Sequence, residues 1–96
     1  MIDHVFNDGS VSHQFEVGDR VINTKPQYSL YGREMDGYVG AEGTVDSIEP
    51  YNRENFSHYT SFLWVSINGK LRVKELNCFF KPSHGTTARK IIKVKD

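Results

Sequence analysis

The segment SFLWVSINGKLRVKEL, residues 61–76, contains the side chains whose types and spacing are best suited to chemistry. Phe62 and Trp64 stand at alternate positions, and the basic residues that follow also alternate: Lys70, Arg72 and Lys74. Side chains of a β-strand alternate between its two faces, so each set shares one face if the segment is extended. Aromatic rings stack on nucleic-acid bases, and basic side chains attract phosphates. Together on one face, these residues would form a nucleic-acid-binding surface.

The pair Asn68-Gly69 is a strong hairpin signal that permits two pairings of the flanking strands. In a two-residue turn, Ile67 lies opposite Lys70, and the basic residues share a face with the aliphatic residues of the first strand. In a three-residue loop formed by residues 67–69, Ser66 lies opposite Lys70, and the basic residues share a face with the aromatic ones. A shift of one residue exchanges the buried and exposed sets. We favour the three-residue loop, because it separates apolar from charged side chains.

The three-residue loop predicts an apolar face made of Leu63, Val65, Leu71 and Val73. Two structural alternatives stay open. A Trp side chain has so much apolar area that its burial is favourable in a small domain, so on the first alternative Trp64 belongs to the core. Lysines also discourage pairing at exposed sheet edges, and on that interpretation the basic row is only the solvated face of an edge strand.

Charge is unevenly distributed along the 96 residues, although the net charge is zero. Residues 1–65 carry four Lys or Arg against ten Asp or Glu, a net charge of −6, and residues 66–96 carry eight against two, a net charge of +6. Such a chain can present a basic face, unless folding interleaves the two halves. The last residues alternate imperfectly, and we expect Lys93 and Lys95 to extend the basic face.

Residues 23–39 form a second candidate surface, because they combine the composition of a long loop with many aromatic side chains. The candidate residues for contact with a partner protein are Tyr28, Tyr31, Arg33 and Tyr38. Tyr provides a large contact area with few torsions to fix. The acidic neighbours Glu34 and Asp36 favour a protein ligand over a phosphate backbone. On the structural alternative, the tyrosines close the open end of a barrel.

Short apolar runs separated by turn signals predict the secondary structure. No window has apolar residues at helical spacing over three turns, and strands are predicted within residues 15–22, 44–48, 61–67, 70–76 and 88–94. Residues 77–81 are predicted to form a turn of tight helix or an irregular link. Several short strands in so small a chain favour an all-β fold, and a small barrel is the economical solution.

Two motifs resemble a known family. The segment FEVGDRV, residues 15–21, resembles the first strand of SH3-like barrels of the translation-protein type, and GAEGTVDSI, residues 40–48, resembles the glycine-centred core of a KOW motif. The resemblance implies a five-stranded barrel that the C-terminal strand completes. Within it, Gly43 would allow a sharp turn where a side chain would clash, and Val45 and Ile48 would pack on Val21. KOW units normally have a short loop where this chain has its long tyrosine-rich segment.

Catalytic and metal chemistry find little support in the sequence. Cys78 is the only cysteine and sits in the apolar run LNCFF, which predicts a buried, unreactive thiol. The four histidines lack the spacing of metal ligands, and no nucleophile motif is present. We expect no catalytic residue, cofactor or metal. No apolar run is long enough to span a membrane, and residues 1–10 do not resemble a secretory signal, so we predict a cytoplasmic protein.

The sequence therefore predicts a non-enzymatic binding module: an all-β, five-stranded SH3-like barrel over residues 15–96, preceded by an arm or short strand at residues 1–14. A long tyrosine-rich loop joins its first two core strands. KOW proteins bind RNA, DNA, ribosomes or RNA polymerase, so the resemblance implies RNA, DNA or a ribonucleoprotein of transcription or translation as partner. The alternative is a protein-interaction module, such as a small phage or bacterial regulator that docks on host machinery. A symmetric oligomeric enzyme ranks third.

Overall fold

The computed structural model describes residues 1–28, 34–35, 38–51, 59–69 and 71–94. Within these residues the chain is all-β, as predicted, and contains no α-helix. The strands are β1 (Ile2–Val5), β2 (Val11–Gln14), β3 (Arg20–Asn23), β4 (Gln27–Tyr28), β5 (Glu34–Met35), β6 (Glu42–Pro50), β7 (Ser61–Ile67), β8 (Leu71–Leu76), β9 (Phe80–Pro82) and β10 (Lys90–Lys93). A 3-10 helix at Asn77–Phe79 confirms the tight helical turn predicted there. No helix in this part of the chain is long and apolar enough to cross a membrane.

The larger sheet has five antiparallel strands in the order β8-β7-β6-β3-β9. The pairings among the described residues do not close it into a barrel. The prediction that the C-terminal strand completes this sheet is wrong, because β9 takes that position. After the 3-10 helix, Phe80 pairs with Asn23 and is only 3% exposed, and the Phe79 carbonyl accepts a hydrogen bond from the Thr24 amide at 2.9 Å. The open edge of β3 is thus covered before the chain reaches its last strand.

The C-terminal strand belongs to a second sheet of three strands in the order β10-β1-β2. β1 and β2 form an antiparallel hairpin, and Asp8 stabilises its turn by accepting hydrogen bonds from the amide and hydroxyl of Ser10. β10 runs parallel to β1, with Ile2 paired to Lys90 and Val5 to Lys93. Residues 1–14 therefore supply two strands of a sheet whose third strand comes from the other end of the described chain.

The core lies against one face of the larger sheet. Its buried apolar residues are Met1, Phe15, Val21, Val45, Leu63, Val65, Ile67 and Phe80. Ile48 packs against this cluster, so the predicted inward positions of Val45 and Ile48 are confirmed. Leu71 and Val73 also pack against it, which confirms the predicted apolar face of the 61–76 hairpin.

The hairpin between β7 and β8 has neither of the two pairings expected from its sequence. Ile67 pairs with Leu71 and Ser66 with Arg72, so positions 68–70 lie between the paired residues. Asn68 and Gly69 have φ values of 53° and 68°, a left-handed conformation that Asn and Gly adopt most readily. This pairing is displaced by two residues from the favoured one, and a shift of two preserves the faces. The predicted segregation is therefore correct, although Ile67 is a fully buried strand residue.

Gly43 is required for a reason other than the predicted sharp turn. The turn occurs at Gly40, whose φ is 82°, whereas Gly43 lies within β6. A Cβ atom at Gly43 would stand 2.6 Å from Cγ1 of Val65 and 2.8 Å from the carbonyl oxygen of Ser66. Because the second of these is backbone, a side chain would force β6 and β7 apart.

We predict that Gly43→Ala lowers the free energy of unfolding by about 2 kcal/mol, the usual cost of inserting a methyl group into well-packed space. The neighbouring substitution Thr44→Ala removes an exposed hydrogen bond from Arg20 and should cost less than about 1 kcal/mol. Urea unfolding followed by circular dichroism measures both variants. Equal stability of Gly43→Ala and the parent protein would show that the two strands do not need this close approach.

Candidate interaction face on the five-stranded sheet

Strict alternation along β7 creates the candidate site. Leu63, Val65 and Ile67 are fully buried, whereas Phe62 and Trp64 are half-buried on the opposite side of the strand. The alternative in which Trp64 belongs to the core is therefore wrong. We call the solvent side of β6, β7 and β8 the outer face. The aromatic, charged and hydroxyl side chains that meet there include Asp46, Glu49, Phe62, Trp64, Ser66, Arg72 and Lys74.

A β-bulge in β6 adds the first acidic residue of this face. Val45 pairs with Val65 and Ser47 with Trp64, so Asp46 is the extra residue between them. A bulge reverses the alternation after it and re-aims side chains. Here it returns Ile48 to the core side and leaves the Asp46 carboxylate exposed, where it accepts a hydrogen bond from the Ser66 hydroxyl.

Trp64 lies at the centre of the outer face and is contacted from both neighbouring strands. The Arg72 guanidinium lies over its ring, 4.5 Å from the centroid, and the Lys74 ammonium is 5.5 Å from the same ring. Its indole Nε1–H donates a hydrogen bond to Oε1 of Glu49 at 3.1 Å. An exposed cation–π contact contributes about 0.5–1 kcal/mol. These contacts hold the indole in one orientation.

The two cations of β8 reach across the aromatic strand to carboxylates on β6. Nε of Arg72 is 3.5 Å from the Asp46 carboxylate, and Nζ of Lys74 is 2.6 Å from that of Glu49. All four side chains remain more than a third exposed, so solvent screens each pair and its contribution to stability is small. Two cations and two carboxylates give this part of the described face no net charge. The two described members of the basic row predicted from the sequence, Arg72 and Lys74, are therefore neutralised by acidic residues two strands away.

A second aromatic contact extends the outer face beyond the residues chosen from the sequence. The ring of Tyr51 meets that of Phe62 edge-on, with centroids 4.9 Å apart, and the Lys74 ammonium lies 5.1 Å from the Phe62 ring. Tyr51 was missed, as were Asp46 and Glu49. The signal for Glu49 was the predicted inward position of Ile48, because the next residue of a strand faces the opposite side.

The carboxyl group of Glu49 has a lowered pKa. The hydrogen bond from Lys74 is the larger cause, and the bond from the Trp64 indole adds to it. Both contacts favour the ionised carboxylate. The ion pair is therefore intact at neutral pH and depends on Glu49 remaining charged.

β8 is the edge strand of the sheet, and its core-facing side ends in a charged residue. Glu75 pairs with Leu63 and is half-buried, and burial raises the pKa of its carboxyl group. Inward-pointing charges are one of the devices by which proteins prevent edge-to-edge association. This feature disfavours pairing of a further strand along β8.

The structure brings four of the seven residues predicted to bind nucleic acid together on the outer face: Phe62, Trp64, Arg72 and Lys74. Lys93 is exposed on β10 and belongs to the other sheet, so it does not continue the row. Lys70 and Lys95 lie outside the described residues.

Of the predicted protein-binding residues, Tyr31 and Arg33 lie outside the described residues. The backbone of Tyr28 pairs with that of Glu34 between β4 and β5. Tyr38 is half-buried and packs against the core, and its carbonyl accepts hydrogen bonds from the Asn23 side chain at 2.9 Å and the Ala41 amide at 3.1 Å. Tyr38 thus supports the fold at the end of this segment.

The prediction of a buried thiol is wrong, because Cys78 is exposed. In the 3-10 helix the inward position belongs to Asn77, which is 5% exposed and donates a hydrogen bond from its amide nitrogen to the His13 carbonyl at 3.0 Å. A polar side chain with such partners can be buried at little cost. Within the residues described, no group of three acidic, His or Cys side chains is placed to hold a metal ion.

Comparison with protein-family models, with curated proteins and with solved structures gives no match to this chain. The resemblance to SH3-like and KOW domains therefore rests on the residues that suggested it.

We predict that Lys74→Gln raises the pKa of Glu49 towards its ordinary value of 4.5, and that Trp64→Phe raises it by less, in the order of the two causes. Because the pKa is lowered in the folded protein, the stabilisation is present above the ordinary pKa and is lost as the pH falls through the folded value. Carboxyl-detected NMR titration measures each pKa. The fluorescence of Trp64, the only Trp, should change in the same pH window. A pKa of Glu49 that is unchanged in Lys74→Gln would contradict the ion pair.

Proposed function

We propose that this protein is a non-enzymatic binding module whose outer face contacts another protein. The observation that carries the proposal is the array around Trp64, in which each cation of β8 is paired with a carboxylate of β6. Such a surface offers a large aromatic anchor and charges of both signs, with no excess of either.

The energetics of protein interfaces fit this array. Trp and Arg are enriched among the residues that dominate binding energy, and they act best when little conformational freedom is lost on contact. The indole of Trp64 is already held by Arg72 and Glu49 in the free protein. Paired charges around an anchor contribute mainly to orientation and to the rejection of wrong partners.

Nucleic acid, the partner favoured by the sequence, remains the second candidate. The observation in its favour is that Phe62 and Trp64 lie on one face beside Arg72 and Lys74, where bases could stack and phosphates could bind. A phosphate at these cations would, however, meet the carboxylates of Asp46 and Glu49. Acidic neighbours favour a protein ligand over a phosphate backbone, as was argued for the tyrosine-rich segment, and this face has two such neighbours.

For the fold, we propose an SH3-like barrel built on β3, β6, β7, β8 and β9. Four successive antiparallel strands and a fifth that returns to pair with the first support this assignment. β9 takes the place that the resemblance gave to the C-terminal strand. Together with this fold, we propose a role as a cytoplasmic regulator, phage or bacterial. It would dock on transcription or translation machinery through the outer face and the tyrosine-rich segment.

Affinity purification tests the proposed partner class. We expect proteins captured from a lysate of the source organism to be retained after nuclease treatment and to fall at least about tenfold in recovery with Trp64→Ala, the cost of losing one anchor residue. Ile91→Ala is the matched control, because Ile91 is an exposed apolar residue on β10, away from the outer face. Loss of all captured proteins on nuclease treatment would overturn the proposal in favour of nucleic acid.

The double variant Asp46→Asn, Glu49→Gln separates the two partner classes by the direction of its effect. It removes both carboxylates and leaves Arg72 and Lys74 unpaired, so the face gains two positive charges. Affinity for a 20-nucleotide single-stranded RNA or DNA, measured by fluorescence anisotropy at two salt concentrations, should then rise if nucleic acid is the ligand. For a protein partner identified by the capture experiment, we expect weaker binding, because the complementary charges are lost.

A further inference from the structure

A cleft of about 450 Å³ lies where the hairpin of the smaller sheet meets the segment that follows β8. Its lining includes Phe6, Val11, Thr60, Cys78, Phe80 and Lys81. Elements of both sheets contribute to it, and its volume lies within the range usual for small-molecule sites. No residue of the outer face is among those that line it.

Most polar groups in the wall of this cleft are already satisfied by the protein. The Ser12 hydroxyl donates to the Tyr59 carbonyl at 3.0 Å, and the Thr24 hydroxyl donates to the Phe79 carbonyl at 2.8 Å. The side-chain amide of Asn77 donates to the His13 carbonyl. These groups hold the walls together, so they leave little hydrogen-bonding capacity for a ligand.

Lys81 differs from the other polar residues of the wall. It is exposed on β9, carries the only formal positive charge among the residues that line the cleft, and makes no ion pair with any described residue. An ammonium group beside apolar walls, with no ion pair to a carboxylate of the described residues, is suited to an anion attached to an apolar body.

We propose that this cleft binds a small molecule that has an apolar ring and one anionic group. The ring contacts Phe6, Val11 and Phe80, and Lys81 holds the anion. Cys78 reports occupancy, because its exposed thiol lines the same cleft. The site shares no residue with the outer face, so its test does not depend on whether the proposed protein contact is correct.

A pair of fluorescent probes tests the proposal: 8-anilinonaphthalene-1-sulfonate, and N-phenyl-1-naphthylamine, which lacks the sulfonate. We expect saturable binding of the sulfonate probe at one site and slower alkylation of Cys78 by iodoacetamide when that site is filled. Lys81→Gln should weaken the sulfonate probe about tenfold and leave the neutral probe unchanged, as expected for the loss of one charge-assisted contact. Lys90→Gln, on β10, is the control and should change neither affinity.

Three outcomes would overturn the proposal. These are an unchanged affinity of the sulfonate probe in Lys81→Gln, an equal loss for both probes, and alkylation of Cys78 at the same rate with and without the probe. Thermal melting of each variant shows whether the fold is retained, and Lys81→Arg, which keeps the charge, should bind the sulfonate probe as the parent protein does. Loss of binding in Lys81→Arg as well would assign the effect to structure and not to charge.

Discussion

The burial of Leu63, Val65 and Ile67 on one side of β7 is the constraint on which the rest of the structure depends. β7 is paired on both edges, so its register fixes those of β6 and β8. Moving β7 by one residue would expose all three side chains and bury Trp64 in their place. Exposure costs about 2 kcal/mol for each large aliphatic side chain. Burial of Trp64 would offset only part of this loss, because its indole N–H would lose its hydrogen bond to Glu49. The core therefore decides which residues face solvent.

The outer face is a consequence of this arrangement, and the proposed protein contact would give it a second role beside stabilising the sheet. Its acid–aromatic–cation contacts join three strands, and each contact is weak because it is exposed. Weak, reversible contacts can be exchanged for those of a partner at small cost. The same side chains that stabilise the sheet in the free protein can thus become the contact residues of a complex, with Trp64 held ready in its orientation.

Part of the site could be predicted from residue patterns, and part could not. The segregation of Trp64 from Val65 follows from alternation, which is local. The ion pair of Lys74 with Glu49 joins strands that are not neighbours, and no local pattern encodes it. The exposure of Cys78 depends on Asn77, whose buried amide finds a partner in His13, far away in sequence. Sequence patterns predicted faces well, whereas contacts between distant segments required the folded structure.

The parallel pairing of β1 with β10 has a consequence for the order of folding. Ile2 pairs with Lys90, so this contact closes a loop that contains the whole five-stranded sheet. Contacts between residues so distant in sequence form slowly, because chain entropy has to be lost before they stabilise anything. During synthesis, one edge of β1 stays without its partner until the residues of β10 emerge. The smaller sheet is therefore completed late, and until then the unpaired edge of β1 is open to wrong strand pairing in a nascent chain.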